Sequence, residues 1–88
     1  MRIQVRRTGG FAGIERRSEV DTSDLPDAEV WRELAERARA DSQDAPPPGV
    51  PDGFSYRITI DEHTFHCADP RLTDAQRALI SRVLKEGA

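Results

Sequence analysis

The chain opens with a strict alternation in which Met1, Ile3 and Val5 are apolar and Arg2, Gln4 and Arg6 are polar. A period of two puts successive side chains on opposite faces of a strand. The pattern therefore predicts a first strand over residues 2–8, with one buried and one wet face. Gly9, Gly10 and Gly13 then supply the positive φ values that a reversal of direction needs. Residues 14–21 resume a weaker alternation, with Ile14, Ser18 and Val20 facing one way and Glu15, Arg17 and Glu19 the other. The product is a β-hairpin.

The period then changes to that of a helix. Thr22, Ser23 and Asp24 offer capping side chains, Pro26 suits a first helical turn, and Asp27 and Glu29 follow where the helix dipole favours acids. A first helix is expected to begin in this segment. Val30, Trp31, Leu34, Ala35 and Ala38 fall on one helical face, against Arg32, Glu33, Glu36, Arg37 and Arg39 on the other. Over residues 42–53 the apolar pattern stops, and the proline cluster there forbids helix and favours extended polyproline II backbone. Phe54, Tyr56, Ile58 and Ile60 alternate with Ser55, Arg57, Thr59 and Asp61 in the clearest strand of the chain. A short turn at Asp61, Glu62 and His63 leads to a last strand with Thr64, Phe65, His66 and Cys67. Thr73, Asp74, Ala75 and Gln76 have capping-box form, and Leu72, Gln76, Leu79, Ile80, Val83 and Leu84 trace one face of a second helix that Gly87 ends.

Four amphipathic strands and two amphipathic helices in the order β-β-α-β-β-α are satisfied by two layers. The expected class is α+β, with a four-stranded, mainly antiparallel sheet and both helices on one face. The other face should be wet, with Arg2, Arg6, Glu15, Arg17, Glu19, Arg57 and Thr59 in mixed sign.

Composition narrows the possibilities. Eighty-eight residues make one domain spanning 1–88, and a chain of this size buries only about 60–65% of its unfolded surface. Net stability should be on the order of 5 kcal/mol, which leaves little to hold strained catalytic geometry. A net charge of −3 gives no global attraction for nucleic acid or anionic lipid. Cys67 stands alone, so no internal disulfide is expected, and the start of the chain lacks an apolar leader. A cytoplasmic protein is the expectation.

Candidate chemistry is sparse. His63, His66 and Cys67 are the only ligand-bearing cluster, but on a strand His63 and Cys67 face one way and His66 the other, and tetrahedral zinc wants four converging ligands. No metal site, no cofactor and no catalytic residue is expected. The carboxylates sit at caps or opposite arginines, and Cys67 falls on the inward side, where thiols are inert. The glycines of residues 9–13 do not make a phosphate loop, because strand rather than helix follows and no lysine comes directly after them. Arg2, Arg6, Arg7, Arg16 and Arg17 crowd the first hairpin, without interleaved aromatics that would stack on bases. The informative segments are two loops. Residues 42–53 reach the length at which an irregular connection in a small domain suggests a function. In the hairpin loop Phe11 is either a lid on the core or an apolar anchor.

The opening Met1-Arg2-Ile3-Gln4-Val5, followed by Gly9-Gly10-Phe11-Ala12-Gly13, resembles the start of the emfourins. The likeness continues through Val20-Asp21, Asp24-Leu25-Pro26, a proline-rich loop, Phe54-Ser55-Tyr56 and a terminal helix opening near Leu72, and so covers essentially the whole chain. One departure is the turn at Asp61, Glu62 and His63, which is short and glycine-free where members have a longer, glycine-containing one. The resemblance implies a non-enzymatic, reversible protein inhibitor of thermolysin-like, protealysin-type zinc metallopeptidases. It would act as a monomer whose partner is the peptidase, with no part for nucleic acid or membrane. The candidate contacts are Gly9, Gly10, Phe11, Ala12 and Gly13 in one loop, and Pro46, Pro47, Pro48, Gly49, Val50 and Pro51 in the other. The rival expectation is an adaptor or regulatory module that uses the arginine-rich sheet face.

Overall fold

The computed structural model describes residues 1–9, 15–42, 53–69 and 71–87. Among these, the elements are β1 (Arg2–Gly9), β2 (Arg16–Asp21), α1 (Ala28–Ala40), β3 (Phe54–Ile60), β4 (His63–Ala68) and α2 (Asp74–Glu86). The strands form one sheet in the order β2-β1-β3-β4, every neighbouring pair antiparallel. The α+β class and the order β-β-α-β-β-α expected from the periodicities are therefore those of the structure.

Register sorts the side chains into two sets. Val20, Ile3 and Ile60 share one row, and Ser18, Val5, Ile58 and Phe65 the next. These rows face the helices and, with Trp31, Ala35, Ala38, Tyr56, Cys67, Leu79, Ile80 and Val83, form the core. Ala35 and Ala38 keep that face of α1 low, which lets the indole of Trp31 lie fully buried. Ser18 is the polar member of its row, and its hydroxyl donates to the Val83 carbonyl at 2.9 Å, tying β2 to α2. Gly87 closes that contact, since a Cβ there would collide with the Ser18 hydroxyl and come within 2.8 Å of the Glu19 carbonyl oxygen.

Helix α1 starts later than its sequence signals suggest. Thr22 does not cap it: the Thr22 hydroxyl donates to the Met1 carbonyl at 3.1 Å and its backbone N–H to the same oxygen at 2.8 Å. Ser23 is likewise spent on a local turn, its N–H and hydroxyl both donating to the Asp21 carboxylate. Pro26 precedes the helix and Asp27 is its N-cap. Tertiary anchoring of the amino terminus thus outcompetes local capping. Val30, expected on the buried face, is 53% exposed, because the stripe centres on Trp31, Ala35 and Ala38. Helix α2 follows its signals closely. The Thr73 hydroxyl accepts from the Gln76 N–H at 3.2 Å, and the Gln76 carboxamide accepts from the Thr73 N–H at 2.9 Å.

The five arginines of the first hairpin do not make one patch. Arg2, Arg6 and Arg17 lie on the wet face, while Arg7 and Arg16 are opposite each other on the helix side. Arg16 there donates to the Leu84 carbonyl at 3.0 Å, near the α2 C-terminus.

Candidate functional site

At one end of the sheet β1 leaves at Gly9, β3 enters at Phe54 and β4 leaves at Ala68. Gly9 has φ +92°, a conformation that side-chain-bearing residues rarely adopt, and a Cβ on it would sit 2.9 Å from the Gly53 carbonyl oxygen. The last described residue before segment 10–14 and the first after segment 43–52 are therefore in contact. The two segments singled out in the sequence share a base.

Around that base lie Arg7, Phe54 and Tyr56, which the sequence placed on strands, and Asp69, which it did not single out. The Arg7 guanidinium lies 4.3 Å from the Phe54 ring centroid, a cation–π distance. The Phe54 and Tyr56 rings pack at 6.4 Å between centroids, inclined by 55°. Asp69 closes the β3–β4 ladder: its N–H donates to the Phe54 carbonyl at 2.9 Å and its carboxylate accepts from the Phe54 N–H at 3.3 Å. Burial pushes the Tyr56 phenol above its ordinary value, with the Asp69 charge adding and Arg7 opposing. The same two causes, burial first and Asp69 second, push the Cys67 thiol up to about 11. A thiol so protonated at neutral pH is a poor nucleophile.

The other end of segment 43–52 is fixed as well. Ser42 donates its hydroxyl proton to the Ala38 carbonyl at 2.6 Å and accepts from the Gln76 carboxamide nitrogen at 2.8 Å. Gln76 is buried, and both ends of its carboxamide are used, on Ser42 and on Thr73. The capping-box pattern revealed Gln76 as a cap, but its bond across to α1 has no local signal.

Of the sequence-proposed contacts, Gly9 is placed as above. Gly10, Phe11, Ala12, Gly13, Pro46, Pro47, Pro48, Gly49, Val50 and Pro51 lie outside the described residues, as does Ile14. Cys67 is on the core side and His66 on the wet side, opposite Arg57, as alternation requires. Among the described residues no group of three or more His, Cys, Asp or Glu could hold a metal ion. No helix among them is long and apolar enough to cross a membrane.

The protein is a small two-layer α+β scaffold in which Gly9 meets Gly53, so that one boundary of segment 10–14 lies beside one boundary of segment 43–52. The emfourin family model matches residues 5–84, so the chain belongs to the emfourin family. That membership implies a role of the protease-inhibitor type. No curated protein and no solved structure matches the chain.

Proposed function

We propose that this chain is a reversible, non-covalent inhibitor of a thermolysin-like zinc metallopeptidase of the protealysin type. It acts as a monomeric domain spanning residues 1–88, in the cytoplasm, and blocks the active-site cleft of its partner through surface loops. Residues 9–13 and 46–51 are the contacts, with Phe11 and Val50 as the apolar groups that a protease cleft would accept.

The observation that supports this reading is the contact of Gly9 with Gly53, which gives both segments one origin. Ordering loops on binding costs affinity, and a segment with both ends fixed and several prolines has less freedom to lose. Proline also removes backbone donors and fits poorly in a cleavage register, so such a segment would survive in the cleft it fills. An extended segment can lie along a cleft by strand addition, filling pockets with alternate side chains. The buried, protonated Cys67 supplies no covalent alternative.

The test is a progress-curve inhibition assay with the purified chain against several thermolysin-like peptidases, followed by recovery of intact chain. Saturable inhibition with the chain uncleaved is expected. Absence of inhibition at micromolar concentration across all of them overturns the proposal.

A further inference from the structure

We propose that the open face of the sheet is a docking surface for an acidic polypeptide segment, centred on the row Arg17, Arg6, Arg57 and His66. This goes beyond the inhibitor reading and does not depend on it. The strand register places Arg6 opposite both Arg17 and Arg57, and Arg57 opposite His66, so one transverse row carries a basic side chain on each of the four strands.

Like charges directly opposite one another weaken a sheet, and the row is only half compensated. Glu15 reaches Arg6 at 2.7 Å and Arg17 at 3.6 Å, and these cations hold its carboxyl below the ordinary range. Glu19, in the neighbouring row, pairs with Arg2 at 2.8 Å. Arg57 and His66 have no ion pair among the described residues. The neighbouring row offers Gln4, Thr59 and Thr64 on these strands, and the Thr59 and Thr64 hydroxyls bond to each other at 3.1 Å. Three arginines of the row, Arg6, Arg17 and Arg57, therefore share the one carboxylate of Glu15 in ion pairs that reach only the first two.

The surface there is indented rather than flat. A shallow depression of about 470 Å³ runs between Arg6, Arg17 and Arg57 beside Gln4 and Thr59, with Glu19, the partner of Arg2, also on its lining. A second of about 230 Å³ lies between Arg6, Arg57 and His66 beside Thr8 and Ser55. An extended chain crossing the strands could place one carboxylate in each. Arginine suits that task, because its planar fork bonds a carboxylate through two parallel N–H donors. Nucleic acid is the less apt occupant. Trp31, Phe54, Tyr56 and Phe65 all sit on the helix side, so among the described residues the His66 imidazole is the one ring on the face, where stacking a run of bases wants several.

The probe is a synthetic unstructured peptide of alternating glutamate and serine, titrated into the full chain at low and at physiological ionic strength. Binding that weakens at least tenfold between the two salts is expected. Arg57→Gln is expected to weaken it at least fivefold and to leave the melting temperature unchanged or raised, since it removes a like-charge neighbour of Arg6. Arg32→Gln, on the exposed side of α1, should change neither. No binding at low salt overturns the proposal, as does equal binding by Arg57→Gln or tighter binding of a single-stranded oligonucleotide of equal charge. A lowered melting temperature for Arg57→Gln would assign that arginine a structural role instead and count against the surface. The titration reads the sheet face whether or not the chain inhibits a peptidase, so the two proposals fail separately.

Discussion

Arg82 of α2 lies over the indole of Trp31 of α1, its guanidinium carbon 4.6 Å from the ring centroid. The same guanidinium bonds the Asp27 carboxylate at 2.5 Å and the Glu86 carboxylate at 3.2 Å. One side chain thus joins the start of α1 to the end of α2 and covers the edge of the core. The charged groups are partly exposed, so each ion pair contributes at most about 1 kcal/mol, and the stacking about 0.5–1 kcal/mol. Arg82→Ala should therefore lower stability by about 1–2 kcal/mol in urea titrations. Arg82→Lys should recover less than half of that, because an ammonium cannot reproduce the planar stack.

Trp31→Ala removes a fully buried indole. Truncating a large buried aromatic costs about 3–5 kcal/mol, close to the total stability expected of a chain this size. The variant should be largely unfolded at 25 °C by near-ultraviolet circular dichroism. A cooperative melt near that of the parent would contradict helix-on-sheet packing around this residue.

Gly9→Ala tests the shared base of segments 10–14 and 43–52. The substitution would force a side chain into φ +92° and against the Gly53 carbonyl, at a cost of about 1–3 kcal/mol. Because the strain falls where both segments originate, the folded fraction should also inhibit more weakly. Thr8→Ala, one residue earlier, is expected to leave inhibition close to that of the parent.

Phe11→Ala separates anchor from lid. If Phe11 enters a pocket of the peptidase, its loss should weaken inhibition by at least about 2 kcal/mol, mostly through faster dissociation, with the melting temperature nearly constant. A fall in melting temperature with unchanged inhibition by the folded fraction would make it a lid.

Alkaline pH should destabilise the fold through Cys67 and Tyr56. Both groups are held protonated by burial, the thiol rising from its usual 9.0 to about 11. The unfolded chain therefore loses these protons first, and stability should fall as pH rises from about 9 towards 11. In Cys67→Ala the decline should be shallower, and in Cys67→Ala with Tyr56→Phe it should be shallower still. An unaltered pH dependence in the double variant would show that neither group is desolvated as the packing implies.

Much of this protein follows from side-chain periodicity alone. Alternation in residues 2–8 and 54–60 and the helical spacing of Trp31, Ala35, Leu79 and Val83 specified which faces are buried. Burial of a face depends mainly on its own apolar period, which is a local property. The capping box at Thr73 and Gln76 was legible for the same reason, since its bonds span three residues. What tertiary structure decided are the long-range pairings. The pairing of β1 with β3 brings Gly9 to Gly53 and sets Arg6 beside Arg57. The contest between capping and anchoring at Thr22 was settled by the Met1 carbonyl, 21 residues away in sequence. Gln76 reaches Ser42 across 34 residues, and Arg7 comes to lie opposite Arg16 only through the pairing of β1 with β2. Such contacts depend on chain segments whose separation in sequence carries no periodic signal, so they exist only once the sheet has formed.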